Sequence, residues 1–237
     1  MNLSGKVCVI TGASSGIGKS LSLGLASKGA SVVLAARRFS KLESIINEIT
    51  RSGGEALGIK TDITKNIECK NLIDETINQY GKIDLLLLGA GVSMWTPFKD
   101  IPDVSFFKDL MDTNYTGSVQ CVHAALPHLI SSRGMIVTCS TAQAIVGFTN
   151  HSGYAASKHA LHGFLDTLNM ELNGKVLFLE AFLGWIRGTN MRSNAFGSDG
   201  KKMGETKRKH SKNSVDVDEC TNRIIHTNIK LRFNHIN

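Results

Sequence analysis

The run KVCVITGASSGIGKSLSLGLASK, residues 6–28, decides the fold. Lys6 to Thr11 holds the continuous apolar run VCVI and is rich in β-branched residues, which predicts a strand buried on both faces. Ile17 to Lys28 repeats its apolar residues at helical spacing and predicts the helix that follows. Gly12, Gly16 and Gly18 follow the strand and open the helix, with Ser14, Ser15 and Ile17 among them. Glycine lets the backbone turn tightly and approach a phosphate, and free N–H groups at a helix N-terminus favour negative charge. The glycines therefore read as a phosphate-binding turn or, if they serve packing alone, as a tight structural turn.

Outward from this unit the same alternation continues. Strands are predicted at Ser31 to Ala36, Ala56 to Lys60, Asp84 to Leu88, Met135 to Ser140 and Lys175 to Phe182. Helices are predicted at Ser40 to Arg51, Asn66 to Tyr80, Val104 to Ser131 and Tyr154 to Leu172. Continuous apolar strands alternating with helices predict an α/β fold: a doubly wound parallel sheet of the Rossmann type, with helices on both faces. Residues 1–237 read as one domain, with 184–214 as a loop covering the site and 215–237 as a short helix and strand. In such a sheet ligands bind beyond the carboxyl ends of the strands.

Composition excludes several classes. A chain of 237 residues with 42% hydrophobic content can bury a full core. No apolar run reaches the roughly 18–20 residues of a membrane span, and the N-terminus lacks a signal-peptide layout, so a cytoplasmic protein without an integral membrane segment is expected. Five widely spaced cysteines without a CxxC pair read as free thiols, and no metal site is expected. The net charge of +7 is uneven. Residues 1–172 hold 15 basic and 14 acidic side chains, and residues 173–237 hold 12 and 6. A near-neutral body offers no basic face for nucleic acid. The excess gathers in Lys201 to Lys212, read as a solvated lid or as a surface for an anionic cofactor, an acidic substrate or membrane headgroups.

The loop also has a rival reading. Ala13 to Ser20, ASSGIGKS, fits a relaxed triphosphate-binding pattern, but the strict form needs glycine at position 13. A magnesium-binding acid is also expected at the end of a later strand, whereas DLLLL begins with Asp84 and ends in Leu88. The second strand favours a dinucleotide instead. It ends in Arg37 and Arg38 where a carboxylate would bind a ribose 2′-hydroxyl, and arginine suits a 2′-phosphate. NADP(H) is therefore the expected cofactor.

The segment GYAASKHAL puts Tyr154 and Lys158 four apart, on one helix face just after the fifth strand. A phenol is a poor acid–base group near neutrality, and a neighbouring ammonium is expected to lower its pKa.

Taken in order, TGASSGIG, Asn114 in DTNYTG, Ser140-Thr141 and YAASK resemble the short-chain dehydrogenase/reductase family, from about residue 4 to residue 192. Weaker similarity continues through NAFGSDG and VDVDECTNRII and resembles its hydroxysteroid-dehydrogenase-like branch. The resemblance implies that Tyr154 exchanges a proton with the substrate oxygen, and that Lys158 assists it and holds ribose hydroxyls. It implies that Asn114 holds a relay water, that Asp62 meets the adenine, and that Gly89, Ala90 and Gly91 pack under the cofactor. Gly184, Ile186 and Thr189 would complete the cofactor site. The substrate-steadying hydroxyl falls thirteen before the tyrosine, on Thr141, with Ser140 beside it. The Leu183 to Thr189 segment departs from the family's Pro-Gly pattern, and Thr189 arrives one residue late.

The expected activity is an NADP(H)-dependent oxidoreductase interconverting a secondary alcohol and a ketone, or an aldehyde and an alcohol, on a moderately apolar small molecule. The alternative is a non-catalytic nucleotide-binding or scaffolding protein of the same fold. The resemblance also implies a homodimer or homotetramer.

Overall fold

The computed structural model describes residues 3–205 and 211–229. Six strands form one sheet: β1 (Val7–Thr11), β2 (Ser31–Ala36), β3 (Glu55–Lys60), β4 (Leu85–Leu88), β5 (Met135–Thr141) and β6 (Leu177–Leu183). Their order is β3-β2-β1-β4-β5-β6 and every pairing is parallel. The order reverses between β1 and β4, which opens a crevice at the carboxyl ends of those strands.

The helices are α1 (Gly16–Ala26), α2 (Phe39–Arg51), α3 (Asn66–Tyr80), α4 (Phe106–Met111), α5 (Gly117–Ser132), α6 (Ser152–Leu172) and α7 (Val217–Arg223). The predicted helix from Val104 to Ser131 is interrupted, because a π-helical turn at Asp112–Thr116 separates α4 from α5. A two-residue parallel pair, β7 (Ile186–Arg187) with β8 (Val215–Asp216), was not expected. Of the short helix and strand expected in 215–237, residues 230–237 lie outside the described residues. Ile229 itself closes a π-helical turn, Ile224–Ile229. Lys207, Arg208 and Lys209 of the basic run also lie outside the described residues.

Strand alternation splits the apolar side chains between two helical layers. Cys8 and Ile10 of β1 and Leu85 and Leu87 of β4 pack with Leu21 and Leu25 of α1, beneath Ile224 and Ile225. Val7, Val9, Leu86 and Leu88 pack on the other face with Leu72 of α3, Leu129 of α5 and Leu161 of α6. Both faces are covered by helices and buried, which is why the strands read as continuous rather than alternating runs.

Asp84 stands just before β4 and is buried. It accepts from the Val7 N–H at 2.9 Å and faces Lys6 at 3.0 Å and Lys82 at 3.2 Å. It therefore braces the amino end of the sheet, opposite the crevice, where no triphosphate magnesium would sit. Among the described residues no helix is long and apolar enough to cross a membrane.

Candidate active site

The glycine loop is held to β4 by Thr11. Its hydroxyl donates to the Leu87 carbonyl at 3.2 Å and accepts from the N–H groups of Gly89 at 3.1 Å and Ala90 at 3.3 Å. This brings the two turns so close that side chains are excluded. A Cβ on Gly12, whose φ is +69°, would stand 2.7 Å from the Ala90 backbone, and one on Gly18 would stand 2.5 Å from the Gly12 carbonyl oxygen. The start of α1 carries no side-chain cap from Ser15, so its first N–H groups face the crevice with their dipole uncompensated. A cradle that a single methyl would fill, opening on uncapped amides, fits a dinucleotide diphosphate.

Arg38, just past β2, reaches back over this loop. Its Nη2 donates to Ser14 Oγ at 3.1 Å and to Ser15 Oγ at 3.3 Å. Arg37 lines the same cleft. Asp62, beyond β3, borders the far end. Its Oδ1 accepts from the Thr64 N–H and hydroxyl at 3.1 and 2.8 Å, which fixes the turn before α3.

Asn114 lies at the centre of the π-helical turn and is fully buried. Its Oδ1 accepts from the Val92 N–H at 2.8 Å, and its Nδ2 donates to the Val92 carbonyl at 2.8 Å and to Ser157 Oγ at 2.9 Å. Both amide hydrogens and the oxygen are thus committed to the protein. Its side chain thereby ties the segment after β4 to α6. The extra residue of the π turn lets it reach both partners.

Tyr154 and Lys158 occupy the first turns of α6, both buried. The lysine ammonium lies over the tyrosine ring, 5.9 Å from its centroid. Tyr154 packs among Val92, Met94, Phe106, Leu110 and Phe196. This apolar setting pushes the phenol up to about 12. Burial pushes the Lys158 ammonium down from its ordinary value, opposed by the charge of Glu180. Burial thus moves the phenol in the direction opposite to the lowering expected from a neighbouring ammonium, because an apolar setting disfavours the charged phenolate.

Ser140 and Thr141 both line the cleft, from opposite sides of the β5 pleat. Ser140 shares the face of Ile136, which packs against α6, and is buried. Thr141 turns the other way and spends its oxygen on the Gln143 N–H at 3.4 Å.

The other expected residues converge here. Gly91, Gly184, Ile186 and Thr189 border the same cleft, whose volume is about 520 Å³, within the range of small-molecule sites. Thr189 lies against the glycine loop, 3.4 Å from where a Cβ on Gly16 would be. Sequence reasoning missed the outer wall. Trp95 follows β4 and Trp185 follows β6, with ring centroids 5.8 Å apart, and His151 stands 4.9 Å from Trp95. Their signal was position after a strand, the criterion that found Tyr154.

Comparison with known proteins agrees with this geometry. The short chain dehydrogenase family model matches residues 6–199. An 11-beta-hydroxysteroid dehydrogenase-like protein of Arabidopsis thaliana is 40% identical over 204 residues, covering 84% of this chain and 66% of that protein. The chain spans about half to two thirds of the length of most of the curated relatives it matches. An alcohol dehydrogenase of Thermococcus sibiricus complexed with 5-hydroxy-NADP shares the fold, with a TM-score of 0.79 at 24% identity over 92% of this chain and 88% of that one. A 7 alpha-hydroxysteroid dehydrogenase complexed with NADH and 7-oxo glycochenodeoxycholic acid gives 0.74 at 29% identity over 78% and 73%. With the glycine cradle, the tyrosine–lysine turn and a matching family model over most of its length, the chain belongs to the short-chain dehydrogenase family of nicotinamide-dependent oxidoreductases.

Proposed function

We propose that the protein interconverts a secondary alcohol and a ketone, or an aldehyde and an alcohol, on a moderately apolar small molecule with NADP(H). The observation that carries this reading is the buried Tyr154–Lys158 turn at the mouth of the glycine cradle. The cofactor, when bound, supplies or accepts the hydride. Tyr154 supplies the proton to the substrate oxygen in reduction and receives it in oxidation. Ser140 steadies that oxygen by hydrogen bonding, and Lys158 keeps a positive charge beside the phenol. Asn114 positions α6 through Ser157. Ser14, Ser15 and the N-terminus of α1 hold the diphosphate, and Gly12, Gly18 and Gly89 keep the floor flat.

The relatives include complexes with both NADP-type and NADH cofactors, so the preference for NADP rests on this chain's own Arg37 and Arg38. A guanidinium pairs with a 2′-phosphate in a planar, two-bond geometry. Residues 184–214, of which 206–210 lie outside the described residues, are assigned as the lid over the substrate, and two or four copies pair through α5 and α6. The test is turnover. Purified protein should bind NADPH more tightly than NADH and consume it with a carbonyl substrate, and Tyr154→Phe should abolish turnover while leaving cofactor binding in place. An equally active Tyr154→Phe variant would overturn the mechanism.

The departure of the Leu183 to Thr189 segment from the family's Pro-Gly pattern favours a second reading, a nucleotide-binding or scaffolding protein without turnover. Tight NADPH binding with no consumption across a broad carbonyl panel would establish it.

A further inference from the structure

The outer end of the cleft is a continuous aromatic wall that leads away from the catalytic phenol and ends in a guanidinium. Tyr154 and His151 have ring centroids 6.2 Å apart, His151 and Trp95 4.9 Å, and Arg192 Cζ lies 5.4 Å from the Trp95 centroid. Trp185 tilts against Trp95 from the other side. These rings offer an apolar body several contacts, and the guanidinium is stacked on Trp95, three contacts along the series from Tyr154.

The electrostatics of the cleft are one-sided. Arg37, Arg38, Lys158, Arg192 and Lys202 line it, and Asp62 is the single carboxylate among its described lining residues. Arg37 and Arg38 belong to the cofactor end and Lys158 to the catalytic turn. Lys202 is seated on the Phe196 ring, its Nζ 3.3 Å from the centroid, and is pushed down by burial and the charge of Arg37. Of the five, Arg192 is the one stacked on the tryptophan end of the wall. Stacking on a ring engages the flat face of a guanidinium and leaves its edge to donate. With five N–H donors in one fork, bonds to the protein still leave directions for an anion.

Resting on the oxidoreductase reading above, we propose that the substrate carries an anionic group, a carboxylate in the simplest case, at the end remote from the reacting carbon, and that Arg192 is the residue that reads it. The body between the two ends is apolar and lies along Trp95 and Trp185. Specificity then comes from an electrostatic contact outside the chemistry, and a neutral analogue of the same shape loses it.

Trp95 and Trp185 are the chain's two tryptophans, so intrinsic fluorescence reports occupancy of this wall without any need for turnover. Decanoate and decanamide, equal in length and differing in charge, are titrated into the NADPH-loaded protein and the quenching is followed. Decanoate should bind about 10–100-fold more tightly, as for a charge-assisted contact against a neutral one. The ratio should collapse toward one in Arg192→Gln and recover in part in Arg192→Lys. Equal affinity of the two ligands in the unaltered protein, or a ratio that survives Arg192→Gln, would overturn the proposal. Turnover is measured separately with an ω-oxo carboxylic acid of similar length and its methyl ester. A charge-dependent quench without NADPH consumption would reject the oxidoreductase reading and leave the anion site standing.

Discussion

The Lys158 ammonium lies over the face of the Tyr154 ring, 5.9 Å from its centroid, with both side chains buried on one face of α6. With the phenol pushed up to about 12 by desolvation, Tyr154 is protonated throughout the neutral range. That is the form needed to donate in carbonyl reduction, so the reduction rate should be flat from pH 6 to 9. Oxidation needs the phenolate, whose fraction below its pKa rises tenfold per pH unit. Its rate should climb about tenfold per unit over the same range. Initial-rate profiles in both directions check this. A flat oxidation profile with chemistry rate-limiting would remove Tyr154 as the titrating group.

Asn114 should behave as a brace. Asn114→Ala strips partners from the Val92 N–H and carbonyl and from Ser157 Oγ, all in a buried setting. Leaving such groups unpaired should cost about 2–4 kcal/mol of folding stability, read as a lower urea midpoint at unchanged slope. Ser157→Ala loses one of those bonds and should be milder. If Asn114→Ala keeps full stability and loses only turnover, its role lies in the proton relay and not in bracing the fold.

The glycine cradle is a packing constraint, and a small change should show it. Gly12→Ala puts a methyl 2.7 Å from the Ala90 backbone at a φ of +69°. Strain of about 1–3 kcal/mol is expected, together with loss of NADPH binding, measurable by thermal shift with and without cofactor. A variant whose melting point still rises on NADPH addition would show that the loop does not hold the diphosphate.

Much of this was legible in the sequence because each feature had a local cause. Buried parallel strands leave continuous apolar runs, a close backbone approach leaves Gly12 and Gly18, and an i,i+4 face leaves Tyr154 and Lys158. What escaped depends on three-dimensional surroundings. The direction of the Tyr154 shift follows from the residues packed around it, which come from the segment after β4, from α4 and from Phe196. The commitment of Asn114 depends on a π turn that the helical pattern of residues 104–131 does not reveal. The β7–β8 pair joins segments nearly thirty residues apart in two-residue stretches too short to carry a pattern.

Cofactor preference tests the arginine reading. Arg38→Ala removes the guanidinium that donates to Ser14 and Ser15 and that would pair with a 2′-phosphate. Loss of one charge-assisted contact corresponds to about 10–100-fold. KM for NADPH should rise by that factor while KM for NADH changes little. A parallel rise in both would mean that Arg38 serves the loop conformation and does not select the phosphate.

The last test separates two adjacent hydroxyls. Ser140 and Thr141 end β5 side by side, and counting back from Tyr154 favours the threonine. Strand alternation favours the serine, since it shares the α6 face with Ile136 while Thr141 Oγ1 accepts from the Gln143 N–H. The pleat should prevail, because a hydroxyl can steady the substrate oxygen only from the side on which Tyr154 stands. Ser140→Ala should therefore lower kcat by roughly 10²-fold, the scale of one lost donor at a developing oxyanion, with little change in cofactor KM. Thr141→Val keeps the shape and loses only the oxygen, so kcat should fall less than about fivefold, with a modest loss of stability from the uncapped turn. The opposite ranking of the two variants in kcat would return the role to Thr141 and show that the backbone at the end of β5 turns when the cleft is filled.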